Sequence, residues 1–237
     1  MILEAKGIVK TFGGLVALNR LDIDVEKGEI LGLIGPNGSG KTTFFNIVSG
    51  IYRPDRGKII YNGEEITHLP PYARARRGIG RTFQIVRPFP SLTVRENIMI
   101  GGFFSTERAR DGGFIEYILE LTGLAAKSDL PAKALNLPER RRLEIARALA
   151  LKPKLLLLDE TLAGLTPVEI DQALHMIDRI RREMDVTIIM VEHIMKAVMK
   201  ISDRVVVLSN GMKIAEGTPS EVANNPAVIE AYLGRVM

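Results

Sequence analysis

The chain of 237 residues contains no cysteine, so neither a disulfide nor a thiolate metal site can form. No apolar run approaches the ~20 residues needed to span a bilayer. The start, Met1-Ile2-Leu3-Glu4-Ala5-Lys6, offers neither the basic opening nor the apolar centre of a signal peptide. The expectation is a protein that does not itself cross a membrane. Aromatic residues are scarce, at 5%. In the stretch from 70 to 87, which holds Arg74, Arg76, Arg77, Arg81 and Arg87, Phe83 alone interleaves with the cations. A nucleic-acid stripe needs rings for bases to stack on, so this stretch reads as a solvated basic face. Nor is either charge in large excess: the net charge of +4 fits an anionic membrane surface, nucleic acid or neither. Internal repeats and low-complexity segments are also missing. What remains, 46% hydrophobic and 25% charged residues, is ordinary for a globular protein with enough chain for a core.

One stretch organises the rest. Ile30 to Ile34 is a short apolar run that reads as a buried strand. It is followed by Gly35-Pro36-Asn37-Gly38-Ser39-Gly40-Lys41-Thr42, a full match to G-x-x-x-x-G-K-S/T, and then by Thr43 and a helical pattern. Glycines let the backbone curl so that its N–H groups converge, and the helix beginning near Lys41 adds its positive dipole end at the same place. Lys41 supplies a mobile cation for outer phosphates, and the Thr42 hydroxyl is a hard oxygen ligand suited to Mg²⁺.

Upstream, Ile2 to Val9 and Leu21 to Val25 read as strands, and Lys10-Thr11-Phe12-Gly13-Gly14 as a turn. Phe12 in that turn is either a packing residue or a base-stacking one. Downstream, Asn62-Gly63 marks a hairpin after the strand Lys58 to Tyr61, and Pro70 to Arg77 can form a short helix. Gly78 to Gln84 leads into a further strand. Residues 88–152 read as a helical insert, with helices over 93–104, 113–121 and 139–150. Leu155-Leu156-Leu157-Leu158 then suits a strand buried on both faces of a parallel sheet, with Asp159 and Glu160 at its C-terminal end, where open α/β sheets bind ligands. Beside a phosphate loop, Asp159 is suited to hold Mg²⁺ and Glu160 to orient or deprotonate a water. A helix from Pro167 to about Arg182 precedes another buried strand, Val186 to Val191. His193, just past it, is either satisfied locally or a γ-phosphate contact. Met190, Met195 and Met199 read as core filling. A strand pair around Asn210-Gly211 and helices over 219–223 and 226–233 complete the chain.

Together these residues resemble the ATP-binding subunit of an ABC transporter over essentially the whole chain, most closely the branched-chain amino-acid importer group. The resemblance rests on Phe12-Gly13-Gly14-Leu15-Val16-Ala17-Leu18, Arg81-Thr82-Phe83-Gln84 and Arg142-Leu143-Glu144-Ile145-Ala146-Arg147-Ala148-Leu149, beside the phosphate loop and Asp159-Glu160. It implies an α/β fold of the P-loop NTPase, ABC ATPase type: one domain over 1–237, a mixed sheet core flanked by helices, an antiparallel β subdomain and a helical subdomain. It assigns adenine stacking to Phe12, Mg²⁺ or attacking-water contact to Gln84, general base to Glu160 and γ-phosphate sensing to His193. It implies ATP and Mg²⁺, membrane-spanning permease partners, a second ATPase subunit (the same chain or a different one), no nucleic acid, and a peripheral place on the cytoplasmic face of the cell membrane. An exporter of lipid or polysaccharide is the runner-up, and a DNA-handling clamp of related fold is disfavoured because 88–152 has no room for a long coiled coil.

Three positions depart from the pattern. The family's signature L-S-G-G-Q is here Leu135-Asn136-Leu137-Pro138-Glu139, which reads as an N-cap, a first-turn proline and a capping-box glutamate. Thr161 stands where proline is usual. Ala163-Gly164-Leu165-Thr166 carries threonine where aspartate is usual. The signature residues therefore offer less to a nucleotide on an opposite subunit, and an unequal pair of sites with a different partner is expected.

Overall fold

The computed structural model describes residues 1–83, 88–103 and 112–233. They form two compact units, one of Met1–Arg74 with the described residues from Thr187 onward, the other Ala75–Val186.

The first unit opens with a hairpin of β1 (Leu3–Phe12) and β2 (Leu15–Val25). Both strands are longer than the sequence suggests. Backbone pairing continues to Phe12 opposite Leu15, so the five-residue turn expected over 10–14 shrinks to Gly13-Gly14. β3 (Ile30–Ile34) leads through the phosphate loop into α1 (Lys41–Val48). β4 (Arg56–Tyr61) lies antiparallel to β1, and β5 (Glu64–Glu65) folds back on β4. The turn between them holds Asn62 at φ 49° and Gly63 at φ 80°, the positive pair that a tight hairpin requires. α2 (Pro71–Arg76) carries the chain into the second unit.

There β6 (Ile79–Arg81) is followed by α3 (Val94–Phe103), α4 (Gly112–Leu121) and α5 (Leu137–Leu149). β7 (Leu155–Asp159) runs parallel to β6, and α6 (Pro167–Met184) closes the unit. Buried Val94 and Ile98 on α3, Ile115, Ile118 and Leu119 on α4, and Ala173, Leu174, Ile177 and Ile180 on α6 recur at helical spacing, which gives these helices an apolar stripe to pack on. Phe104, the end of the helix expected over 93–104, lies outside the described residues.

The chain returns to the first unit with β8 (Thr187–Val191), α7 (Met195–Ile201), β9 (Arg204–Ser209), β10 (Met212–Gly217), α8 (Pro219–Ala223) and α9 (Pro226–Leu233). β3 lies between β8 and β9 and is parallel to both, while β10 is antiparallel to β9. Every residue of β3 and β8 is buried, which explains their uninterrupted apolar runs. α7 has no separate signal in the sequence. Its Val198 joins Ile34, Val205 and Val207 in the core, against which Met195 and Met199 pack.

The solvated reading of the arginines fails at Arg74, which is 1% exposed. Its guanidinium donates to Ile47 O at 2.6 Å, Val48 O at 2.9 Å, Thr67 O at 2.9 Å and Leu69 O at 3.0 Å. Two of these are last-turn carbonyls of α1, which lack partners within the helix and carry its negative dipole end. Arg74 thus caps the helix whose other end opens on the phosphate loop. Burial pushes its pKa down to about 10, so it stays charged at neutral pH. Arg74→Ala is expected to cost about 2 kcal/mol in urea denaturation, because buried carbonyls lose their donor. Arg74→Lys should recover little of it, since one ammonium cannot reproduce the fork.

Candidate functional site

The phosphate loop begins where β3 ends. Gly35 adopts φ 150° and sits so close to β9 that a Cβ there would lie 2.1 Å from Leu208 O. Gly40, the N-cap of α1, is left-handed at φ 106°, and a Cβ there would meet Leu18 Cδ2 at 2.6 Å and Ala17 O at 2.7 Å. The first glycine lets the loop leave the sheet, and the second lets the β1–β2 hairpin press against the helix start. No side chain caps α1, whereas α5, α6 and α8 each carry a capping box of their own. The N-terminal N–H groups of α1 therefore have no side-chain cap, the condition that anion binding at a helix start requires.

Lys41, read above as a mobile cation, is 5% exposed, and its Nζ donates to Gly35 O at 2.8 Å and Pro36 O at 3.0 Å. A buried ammonium needs such acceptors, and their effect is to hold the loop curled. Asn37, Gly38 and Thr42 are exposed, Ser39 is buried, and Thr43 is half-buried in the first turn of α1. Ser39 O accepts the Gly211 N–H at 3.1 Å, which ties the loop to the β9–β10 turn.

Phe12 ends β1 with 41% exposure and meets Tyr52 edge-on at 5.2 Å between centroids. Lys10 Nζ lies 5.3 Å from the same ring and bonds Asp55 at 2.8 Å. The ring is therefore braced while still presented to solvent. The bonds to Asp55 from Lys10 and then Thr11 hold its carboxyl down at about 2. His193 belongs to the same unit and is exposed beyond β8, after the buried Glu192. Sequence reasoning missed Tyr232 on α9, whose pKa burial raises while the nearby Gly35 backbone pulls the other way. A lone aromatic near a chain end carries no pattern that would reveal this.

The second unit holds the carboxylates. Asp159, the last residue of β7, is 2% exposed and bonds Arg81 Nη2 through Oδ2 at 2.9 Å. Glu160 follows at φ 50°. Asn62, Asp185 and Asn210 share that sign of φ with short polar side chains that tolerate it, and Arg20 and Lys152 share it without them, so the angle by itself does not set Glu160 apart. Gln84 lies outside the described residues. Ahead of it, Phe83 N–H donates to Glu144 on α5 at 2.5 Å. Burial raises the Glu144 pKa, and the Phe83 bond pulls the other way. The sequence marks Arg81 and Glu144 only as parts of family-like stretches and reveals neither contact, because their partners are 78 and 61 residues away.

The signature stretch folds as its residue types suggest. Asn136 Oδ1 accepts Glu139 N–H at 3.0 Å, and Glu139 returns the bond to Asn136 N–H at 3.1 Å, with Pro138 in the first turn of α5. The Glu139 carboxylate is met at 2.5 Å by Lys127, so the anion at this helix start is compensated within the chain. Burial alone would raise its pKa, but Lys127 and the cap hold it below the ordinary value. Asn136→Ala is expected to cost about 1 kcal/mol in chemical denaturation through loss of the cap. Thr161 is buried, and Thr166 caps α6 in a box with Glu169, so threonine keeps the role that aspartate would fill.

Magnesium fits this donor set. Among the described residues no three His, Cys, Asp or Glu side chains cluster as metal ligands. A carboxylate such as Asp159 offers the hard oxygen that Mg²⁺ takes, and an ion with so few protein ligands would complete its shell with water and phosphate oxygen.

Comparison with known proteins points the same way. The family described as ABC transporter matches residues 18–163, and that described as branched-chain amino acid ATP-binding cassette transporter matches 212–236. The high-affinity branched-chain amino acid transport ATP-binding protein BraF of Pseudomonas aeruginosa is 42% identical over 98% of both chains. LivG of Escherichia coli, described in the same words, is 40% identical over 98% of both. The lipopolysaccharide export system ATP-binding protein LptB of Haemophilus influenzae is 36% identical over 98% of this chain and 97% of its own. A crystal structure of an ATP-binding cassette in its ADP conformation superposes with a TM-score of 0.89 at 32% identity, covering 99% of both chains.

Proposed function

This chain belongs to the ABC transporter family of ATP-binding subunits, and on that premise we propose that it hydrolyses ATP to drive import of branched-chain or related amino acids. The observation that carries the substrate class is the likeness to BraF and LivG along nearly the whole chain, joined by the C-terminal match at 212–236.

In this reading the loop from Gly35 to Thr43 holds the phosphates and Phe12 meets the adenine ring. Thr42, Asp159 and Gln84 hold Mg²⁺, which supplies charge neutralisation of the phosphate oxygens. Glu160 orients the attacking water and takes its proton, and His193 reads the terminal phosphate. The protein's contribution is positioning and charge stabilisation, since phosphoryl transfer asks for little covalent chemistry. No helix among the described residues is long and apolar enough to cross a membrane, so transport requires permease subunits, with this chain peripheral on their cytoplasmic side. The capped signature helix favours a second ATPase subunit of different sequence, because Pro138 removes one N–H donor and Asn136 spends another on its own cap.

The test is ATP-dependent uptake of labelled leucine, isoleucine and valine into vesicles carrying the permease subunits, with and without this chain. Uptake should require it. ATP-driven release of a lipid or polysaccharide in place of amino-acid uptake would transfer the chain to the exporter reading.

A further inference from the structure

Parallel pairing of β6 with β7 sets Arg81 opposite Leu157. Side chains alternate along a strand, so Asp159, two residues on, shares the face of Leu157, and Arg81 needs only its own length to reach it. Both side chains of the ion pair are buried, at 7% and 3% exposure. The segment is fixed further by its neighbour: Thr82 N–H donates to Leu157 O at 2.9 Å, and Asp159 N–H donates to Thr82 Oγ1 at 3.0 Å. Beyond Thr82, the Phe83 ring lies 5.1 Å from the Arg81 guanidinium, and Phe83 is tied to Glu144 through its N–H. The arginine is thus placed by strand register, a ring and a backbone bond, and its charge is spent on Asp159.

A carboxylate this deeply buried needs a positive partner at every stage of a working cycle. In the reading above, Asp159 is a magnesium ligand once nucleotide is loaded. We propose that Arg81 is the resident counter-cation of Asp159 and competes with magnesium for it. The inference rests on the assignment of Asp159 to the metal. A guanidinium and a dication drawn to one carboxylate repel each other, and inside a protein, where screening is weak, that repulsion lowers metal affinity about tenfold or more. The consequence is a site that binds free metal poorly and accepts it together with nucleotide, whose phosphates add the negative charge needed to outbid the arginine.

The experiment uses the purified full-length chain, Mn²⁺ as the metal probe read by electron paramagnetic resonance, and a non-hydrolysable ATP analogue. Analogue binding is measured first in EDTA and then with Mn²⁺. Arg81→Met should bind Mn²⁺ about tenfold more tightly than wild type in the presence of analogue, with analogue affinity in EDTA unchanged and a lower melting temperature in the nucleotide-free state. Arg81→Lys, which keeps the charge, should stay near wild type in Mn²⁺ affinity. Should Arg81→Met fail to fold, Arg81→Gln carries the same expectation, because a carboxamide bonds Asp159 without charge. Unchanged or weaker Mn²⁺ binding by the neutral variant overturns the proposal and makes Arg81 a support of the metal ligand. Wild-type protein that binds no analogue either in EDTA or with Mn²⁺ sinks the nucleotide reading itself, a result read from the wild type alone before any variant is compared.

Discussion

Lys41→Ala is expected to lower ATP affinity about a thousandfold while the chain stays folded. Charge-assisted hydrogen bonds contribute about 1.5–3 kcal/mol each, and two lost to phosphate reach that factor. The structure adds a second reason. Nζ also holds Gly35 O and Pro36 O, so the variant loses both the cation and the bonds that keep the loop curled. Arg74, at the far end of α1, and the apolar residues of β3 are untouched, which is why folding should survive. Isothermal titration with ATP and a far-ultraviolet melting curve check the two halves separately. Unchanged nucleotide affinity would sink the phosphate assignment.

Glu160→Gln should reduce hydrolysis by about a thousandfold in the assembled transporter, within the range that general-base loss produces, while ATP binding is retained. The carboxamide keeps size and shape, so the left-handed backbone at φ 50° is equally available to it and structural damage is not the cause. The same experiment tests the unequal pairing. If the chain keeps its own catalytic residues but offers a weakened signature to its partner, this substitution should remove most turnover. The equivalent change in a partner of different sequence should remove much less. The reverse outcome, measured as steady-state phosphate release from the complex, would place the competent site elsewhere and end that proposal.

Much of the fold was legible because its signals are local. Asn62-Gly63 specified a hairpin through the two positive φ angles that only such residues adopt readily, and it is found there. Asn136, Pro138 and Glu139 spelled out a helix start within four residues, and both reciprocal bonds exist. The unbroken apolar runs of β3, β7 and β8 announced burial on both faces, and all three strands are buried throughout. Strand ends in the first hairpin were misjudged because Phe12 and Leu15 pair across only two glycines, and pairing energy extends strands past residues that look like turn. α7 was missed because a seven-residue helix is decided by packing on a core and not by its own propensity.

By itself the sequence determined the glycine-rich loop between β3 and α1 and the family, and it supplied the order of the proposed catalytic residues, because each depends on residue types at short, fixed spacings. Only the tertiary structure decided what the arginines do. Arg74 and Arg81 read as surface charge among Arg76 and Arg77, yet one caps a helix from within the core and the other neutralises the carboxylate at the end of β7. Whether a cation faces water or a buried acceptor depends on which distant carbonyls and carboxylates the fold brings within 3 Å, and no local pattern along the chain records that distance.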